Sequence, residues 1–155
     1  MARQDLFTGQ AGEHAVISKF LIKGWNVAVP QVDVGDDLLV ARQEDAYVPV
    51  QVKAARARQQ RKSYAGTFRL AVQQIQTPRW PDLVYVFAVY HKARWSDFIV
   101  VPRRDLHTLR EVDGVGTATG DHLSLRVSFH PDSVRCSGQD WSVFRDQWSA
   151  IPDRY

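Results

Sequence analysis

The chain is short of the residues that build covalent or metal-stapled frameworks. Among its 155 residues there is one cysteine, Cys136, which excludes an internal disulfide framework and any zinc cluster built on cysteine. The five histidines, His14, His91, His107, His122 and His130, show neither an H-x-x-x-H nor an H-E-x-x-H spacing, so a histidine zinc site has no support. No apolar run approaches the ~18 residues of a membrane span, which argues against a membrane partner. Met1-Ala2-Arg3-Gln4-Asp5 leads into no apolar signal-peptide core, and with cysteine so scarce the expected location is the cytoplasm. Internal repeats and low-complexity tracts are lacking too. What remains is an ordinary globular mixture, 45% hydrophobic and 24% charged, with the length of one domain spanning residues 1–155.

Charge is informative in its distribution rather than its sum. The net charge is +3, compatible with a polyanionic partner without requiring one. Acidic residues gather at Asp33, Asp36, Asp37, Glu44 and Asp45. From Lys53 to Lys62 the charged residues are all cationic: Lys53, Arg56, Arg58, Arg61 and Lys62. Such a juxtaposition suits a metal site facing a phosphate backbone, and it equally suits an acidic turn beside a solvated loop.

Periodicity predicts a helix over residues 9–23, with an apolar stripe through Ala11, Ala15, Val16, Phe20 and Leu21. Thr8 is placed to cap its start and Gly24 to end it. Short strands follow at 25–30 and 37–41, and a third at Tyr47–Lys53 puts Val48, Val50 and Val52 on one face and Pro49, Gln51 and Lys53 on the other. Residues 54–66 read as a basic loop, and Phe68–Gln76 fits a helix or a strand. Leu83–Tyr90 is a β-branched and aromatic run suited to a strand buried on both faces. A strand at 97–101, a short helix at 103–110, a loop at 114–120, a strand at 123–129 and an amphipathic helix at 140–151 complete an α/β domain with a central sheet.

Four residues carry the chemistry. Glu13 lies in the opening helix and Asp37 starts the second strand; Gln51 and Lys53, two apart, share a face of the third. If the second and third strands pair as a hairpin, a carboxylate, an amide oxygen and an ammonium meet at a sheet edge. That set can bind a hard divalent cation through oxygen and activate a water beside it. Singly, each is ordinary: a solvated helix residue, a turn before a strand, a half-exposed strand face. Their conjunction in this order is what carries meaning.

At these residues the sequence resembles the PD-(D/E)XK nuclease superfamily. The match runs through Gly12-Glu13-x-Ala15, Asp33-x-Gly35-x-Asp37-Leu38-Leu39-Val40 and Val50-Gln51-Val52-Lys53. It is closest to the branch of small bacterial nuclease-like domains, Holliday-junction-resolvase-like proteins and a group I intron homing endonuclease that carry glutamine before the lysine. The resemblance implies a restriction-endonuclease-like core, a central mixed sheet flanked by helices. It also implies a metal-dependent DNA endonuclease, often a homodimer, using Mg²⁺ or Mn²⁺. Carried over, Asp37, Gln51 and Glu13 would be metal ligands, all three and Lys53 catalytic, and Arg56, Arg58, Arg61 and Lys62 contacts to DNA phosphates. Two departures stand out: no Pro-Asp pair is present, since Pro30 is separated from the aspartates, and Gln51 removes a carboxylate from the metal site. The alternative is a catalytically silent module of the same fold that binds nucleic acid or a protein partner.

Overall fold

The computed structural model describes residues 2–33, 35–42 and 46–151, so Glu44 and Asp45 of the expected acidic cluster lie outside the described residues. Helix α1 spans Arg3–Ile22 and begins well before residue 9. Its first turns were invisible to periodicity because Leu6 and Phe7 face solvent and extend no apolar stripe. Thr8 therefore lies inside the helix, its hydroxyl donating to the Gln4 carbonyl at 2.9 Å, and Ala2 is the cap position. The other end is as expected: Gly24 takes φ +83°, a left-handed geometry that other residues adopt at a cost.

The strands that follow are β1 (Asn26–Ala28), β2 (Leu38–Ala41), β3 (Val48–Arg56), β4 (Arg58–Gln59), β5 (Tyr64–Ala71), β6 (Val84–His91) and β7 (Arg94–Pro102), with helix α2 (Val72–Gln76) between β5 and β6. Helix α3 (Arg103–Asp113) leads to β8 (Thr117–Thr119), β9 (His122–Phe129), β10 (Val134–Cys136) and β11 (Gln139–Asp140). A central sheet has the order β1-β2-β3-β6-β7; its β3–β6 pair is parallel and the others antiparallel, so the sheet is mixed.

Strand alternation gives this sheet two buried faces. Val48, Val50 and Val52 of β3 join Val84, Val86 and Ala88 of β6 and Phe98 and Val100 of β7 against Val16 and Phe20 of α1. On the opposite face, Tyr85, Phe87, Val89, Ile99 and Val101 pack against Phe68, Leu70, Leu123, Leu125, Val127 and Phe129. Burying each such side chain contributes roughly 1.5–3 kcal/mol, and the two clusters together are what hold the layers. The expected central mixed sheet is present. Its second face, however, is covered mainly by another sheet, of order β11-β10-β9-β5-β4 with β8 on β9, rather than by helices.

Three expectations are corrected here. Residues 54–66 are not a loop: β3 runs on to Arg56, and Arg58–Gln59 turns back on Tyr64–Ala65 as a hairpin. The glycine-rich stretch at 114–120 contains strand β8. Residues 140–151 form no amphipathic helix but two short 3₁₀ turns, Ser142–Phe144 and Trp148–Ala150. Trp141 and Trp148 are each buried, in different clusters, and that demand for burial on two sides overrides helical spacing. The ambiguous segment 68–76 is both things in turn, strand to Ala71 and helix from Val72.

One close approach sets up the site. Gly12 lies directly on β3, where a Cβ would stand 2.4 Å from the Ala54 Cβ and 3.3 Å from the Trp95 ring. Any side chain there would push α1 off the sheet, so glycine is what lets the next residue, Glu13, ride over β3.

Candidate active site

The site forms where β2 stops. The β2–β3 ladder ends at Leu38↔Val50, with Asp37 N–H donating to the Val50 carbonyl at 3.1 Å. Beyond that point the Asp37 side chain replaces the missing strand. Its Oδ2 accepts the Val52 N–H at 2.8 Å and the Gln51 amide Nε2 at 2.5 Å. Among the described residues, β3 past Val50 has a partner strand only in β6. That free edge is where Glu13, arriving from the α1 face, and Lys53, rooted on the opposite face, reach the charge of Asp37.

Two neighbouring aspartates are sorted by one arginine. Arg79 grips Asp36 with both terminal nitrogens, at 2.6 and 2.8 Å, and leaves Asp37 as the carboxylate turned to β3. Asp37 is only half-buried, yet burial raises its pKa above the ordinary 3.8; Asp33 and Asp36 add to the rise, while the Val52 N–H and Lys53 oppose it. Glu13 is raised above 4.5 by burial first and by the negative charge of Asp37 second. Lys53 and the Gln10 amide, which donates to Glu13 Oε2 at 3.1 Å, pull the other way. Lys53 itself makes no hydrogen bond or ion pair among the described residues and acts on both carboxylates through charge alone.

Two residues at the site carry no signal that sequence reasoning could use, Gln74 and Tyr85. The α2 residue Gln74 donates from Nε2 to the Gly35 carbonyl at 2.8 Å and to Gln51 Oε1 at 3.1 Å. The Tyr85 hydroxyl, buried so that its pKa is pushed far up and it stays protonated, donates to Gln74 Oε1 at 3.0 Å. A carbonyl can only accept and an ionised carboxylate can only accept, so Gly35 and Asp37 fix the sense of the whole chain. Gln51 therefore turns its NH₂ to Asp37 and its oxygen to Gln74. A lone glutamine and a tyrosine in a buried run look like surface and core; only the fold places them together.

The donor set fits a hard divalent cation. Among the described residues no three His, Cys, Asp or Glu side chains gather into one group, so such an ion would draw on Asp37, Glu13 and several waters, as Mg²⁺ commonly does. Gln51 would join through Oε1 only with its amide turned over, giving up its bonds to Asp37 and Gln74.

The expected DNA-binding residues are dispersed. Arg56 lies on the α1 side of β3, its Nε donating to the Thr8 hydroxyl at 3.1 Å and its guanidinium 4.9 Å from the Tyr90 ring centre. Arg58 is exposed in β4, and Arg61 and Lys62 are exposed in the turn leading to β5. Cys136 is buried and its thiol pushed up to about 11, in keeping with an inert core residue.

A mixed sheet whose second and third strands form a hairpin, with α1 packed across one face, is a restriction-endonuclease-like fold. A bacterial homing endonuclease, I-Ssp6803I, shares it: the two superpose with a TM-score of 0.56 at 19% identity, covering 93% of this chain and 88% of that one. A weaker likeness, with a TM-score of 0.45 at 12% identity, covers 75% of this chain and 81% of Hjc, a Holliday junction resolvase from the archaeal hyperthermophile Archaeoglobus fulgidus. No protein-family model matches the chain, and no curated protein matches it in sequence. The fold is thus shared with a homing endonuclease, and no helix among the described residues is long and apolar enough to cross a membrane.

Proposed function

We propose that this chain is a metal-dependent endonuclease that hydrolyses DNA phosphodiester bonds, with Mg²⁺ or Mn²⁺ as cofactor. The observation that carries the reading is the half-buried pair Glu13 and Asp37, each with its pKa pushed up, beside Lys53, which has no hydrogen bond or ion pair among the described residues. Two carboxylates that resist ionising near one another are relieved by a cation. When bound, the ion supplies Lewis acidity at the phosphoryl oxygen and a water of lowered pKa. Asp37 and Glu13 would hold it, with Gln51 as a third ligand after its amide turns over. The Val52 N–H would keep Asp37 in place, while Gln74 holds Gln51 until its amide turns over. Lys53 would orient the attacking water and meet the negative charge that develops in the transition state. Arg58, Arg61 and Lys62 would contact backbone phosphates, with Arg56 adding charge from its place over Tyr90. A homodimer would let one site address each strand, and a DNA substrate agrees with a cytoplasmic location.

The direct test is nicking of supercoiled and branched DNA with Mg²⁺ or Mn²⁺ against EDTA, where cleavage is expected only with metal. A protein inert on every substrate with either metal would leave the silent nuclease-fold module as the reading. Acid supplies a second check. With folded pKa values above 4.5 and 3.8, the metal-free protein holds these protons more tightly than the unfolded chain does. The associated stability is full below those ordinary values and is lost as pH rises through the raised ones. Metal competes for the same oxygens, so its thermal stabilisation should be full at neutral pH and vanish on acidification. The midpoint of that loss should move to lower pH as the metal concentration rises, because the cation favours the ionised carboxylates. Metal stabilisation whose pH dependence is unchanged in Glu13→Gln and Asp37→Asn would remove these residues from the site.

A further inference from the structure

The second sheet buries one face and leaves the other to solvent. On the outer face stand Thr67 and Arg69 of β5, Ser124, Arg126 and Ser128 of β9, Arg135 of β10 and Thr117 of β8; the three arginines are exposed. The register orders them. Arg69 lies opposite Ser124, Arg126 is the next outward residue along β9, and Arg135 lies opposite Ser128, the next again. Crossing from β5 to β9 to β10, the cations thus advance two residues per strand and form one diagonal stripe, with diagonal neighbours about 7–8 Å apart.

Hydroxyls fill the positions between them. Gly116, Thr117, Ser124, Arg126, Ser128, Arg135, Ser137 and Gly138 line a concavity of about 370 Å³ on this face, without a carboxylate in its wall. Among the described residues none of the three arginines has an ion pair within 4 Å; Asp140 of β11 lies opposite Arg135 and is held low in pKa by Ser142 and by that arginine. Arg58, opposite Ala65, sits in the register row of Ser128 and Arg135.

We propose that this outer face is a second nucleic-acid surface, on which the sugar-phosphate backbone of DNA lies across Arg69, Arg126 and Arg135 with the flanking Ser and Thr hydroxyls donating to phosphate oxygens. Arginine forks and hydroxyls are the donors that backbone phosphates take, and they position a duplex without reading its sequence. The assignment rests on nucleic acid being the partner, but not on cleavage, because the stripe belongs to a different sheet from Asp37 and Lys53.

The test is binding of a labelled duplex in EDTA, where nothing is cut, titrated over a range of salt. Replacing all three arginines, R69Q/R126Q/R135Q, should flatten the plot of log affinity against log salt by about 2.7 units and weaken binding about tenfold or more at low salt. R69K/R126K/R135K should restore most of the slope. An unchanged slope in the glutamine variant, with its thermal midpoint intact, would overturn the proposal while leaving the nuclease reading standing. Equal displacement of the duplex by polyglutamate at matched charge would also overturn it, by showing a surface for acidic chains in general.

Discussion

Lys53→Ala is expected to lower metal-dependent cleavage by about 10²–10³-fold, the usual cost of removing one donor aimed at transition-state charge. The fold and most of the metal binding should survive. Lys53 makes no ion pair or hydrogen bond among the described residues, so its removal strands no partner. Its charge currently helps Asp37 and Glu13 to ionise, so metal binding in the variant should need a somewhat higher pH. Asp37→Asn should fail differently. The amide oxygen can still accept the Val52 N–H, so the strand edge stays closed, but the negative charge that attracts the cation is gone. Cleavage should fall to background and recover in part at raised Mg²⁺, whereas Lys53→Ala should not recover. Single-turnover nicking against metal concentration distinguishes the two. Full activity in either variant would show that the chemistry lies elsewhere.

Gln51→Glu is the second large effect, and its sign depends on metal. The glutamine NH₂ sits 2.5 Å from Asp37 Oδ2. Replacing it with oxygen sets two carboxylates against each other in a half-buried place. Without metal at neutral pH the variant should lose about 1–3 kcal/mol, read as a drop of roughly 2–4 °C in thermal midpoint for each kcal/mol. Adding Mg²⁺ or Mn²⁺ should reverse the loss, because the new carboxylate needs no amide to turn over before it can ligate. Metal affinity should therefore rise and cleavage be kept or increased. Gln74 continues to donate to the residue at 51, so the network survives the change. A variant as stable in EDTA as the parent, and no more responsive to metal, would mean that no cation binds between these side chains.

Much of this was legible in the sequence, and the parts that were not have a common cause. Asp37, Gln51 and Lys53 could be placed because a hairpin with period-two alternation fixes its own geometry, and the valines at 48, 50 and 52 marked the face that meets α1, although the other face is largely buried as well. Glu13 could be named only through the resemblance carried by Gly12-Glu13-x-Ala15, and the helix that bears it starts earlier than its apolar stripe. What stayed hidden depended on partners distant in sequence. Gln74 matters only because α2 lands beside Gly35 and Gln51. The strands at 54–66 exist only because β5 is held by β9, which a basic, polar stretch does not reveal. Trp141 and Trp148 suggested one helix face and instead enter separate cores.

The route of the chain through the two sheets also imposes a sequence of events in time. Asp37 with Gln51 and Gln51 with Gln74 lie 14 and 23 residues apart, so the candidate corner can close over modest loops. The second sheet cannot: Thr67 must wait for Arg126, and Tyr64 for Phe129, before β5 has its neighbour. Pairings so remote are slow, and until they form, Tyr85, Phe87 and Val89 have no cover on that side of the central sheet. The expected order of folding is therefore a candidate corner formed early and an apolar face covered late, and a stage with that face bare would self-associate when concentrated. Pulsed hydrogen exchange during refolding should show β3 and β6 protected before β5 and β9, and simultaneous protection of all four would refute that order. If closure of this half is slow, the arginine stripe, built on β5, β9 and β10, should form later than the candidate corner.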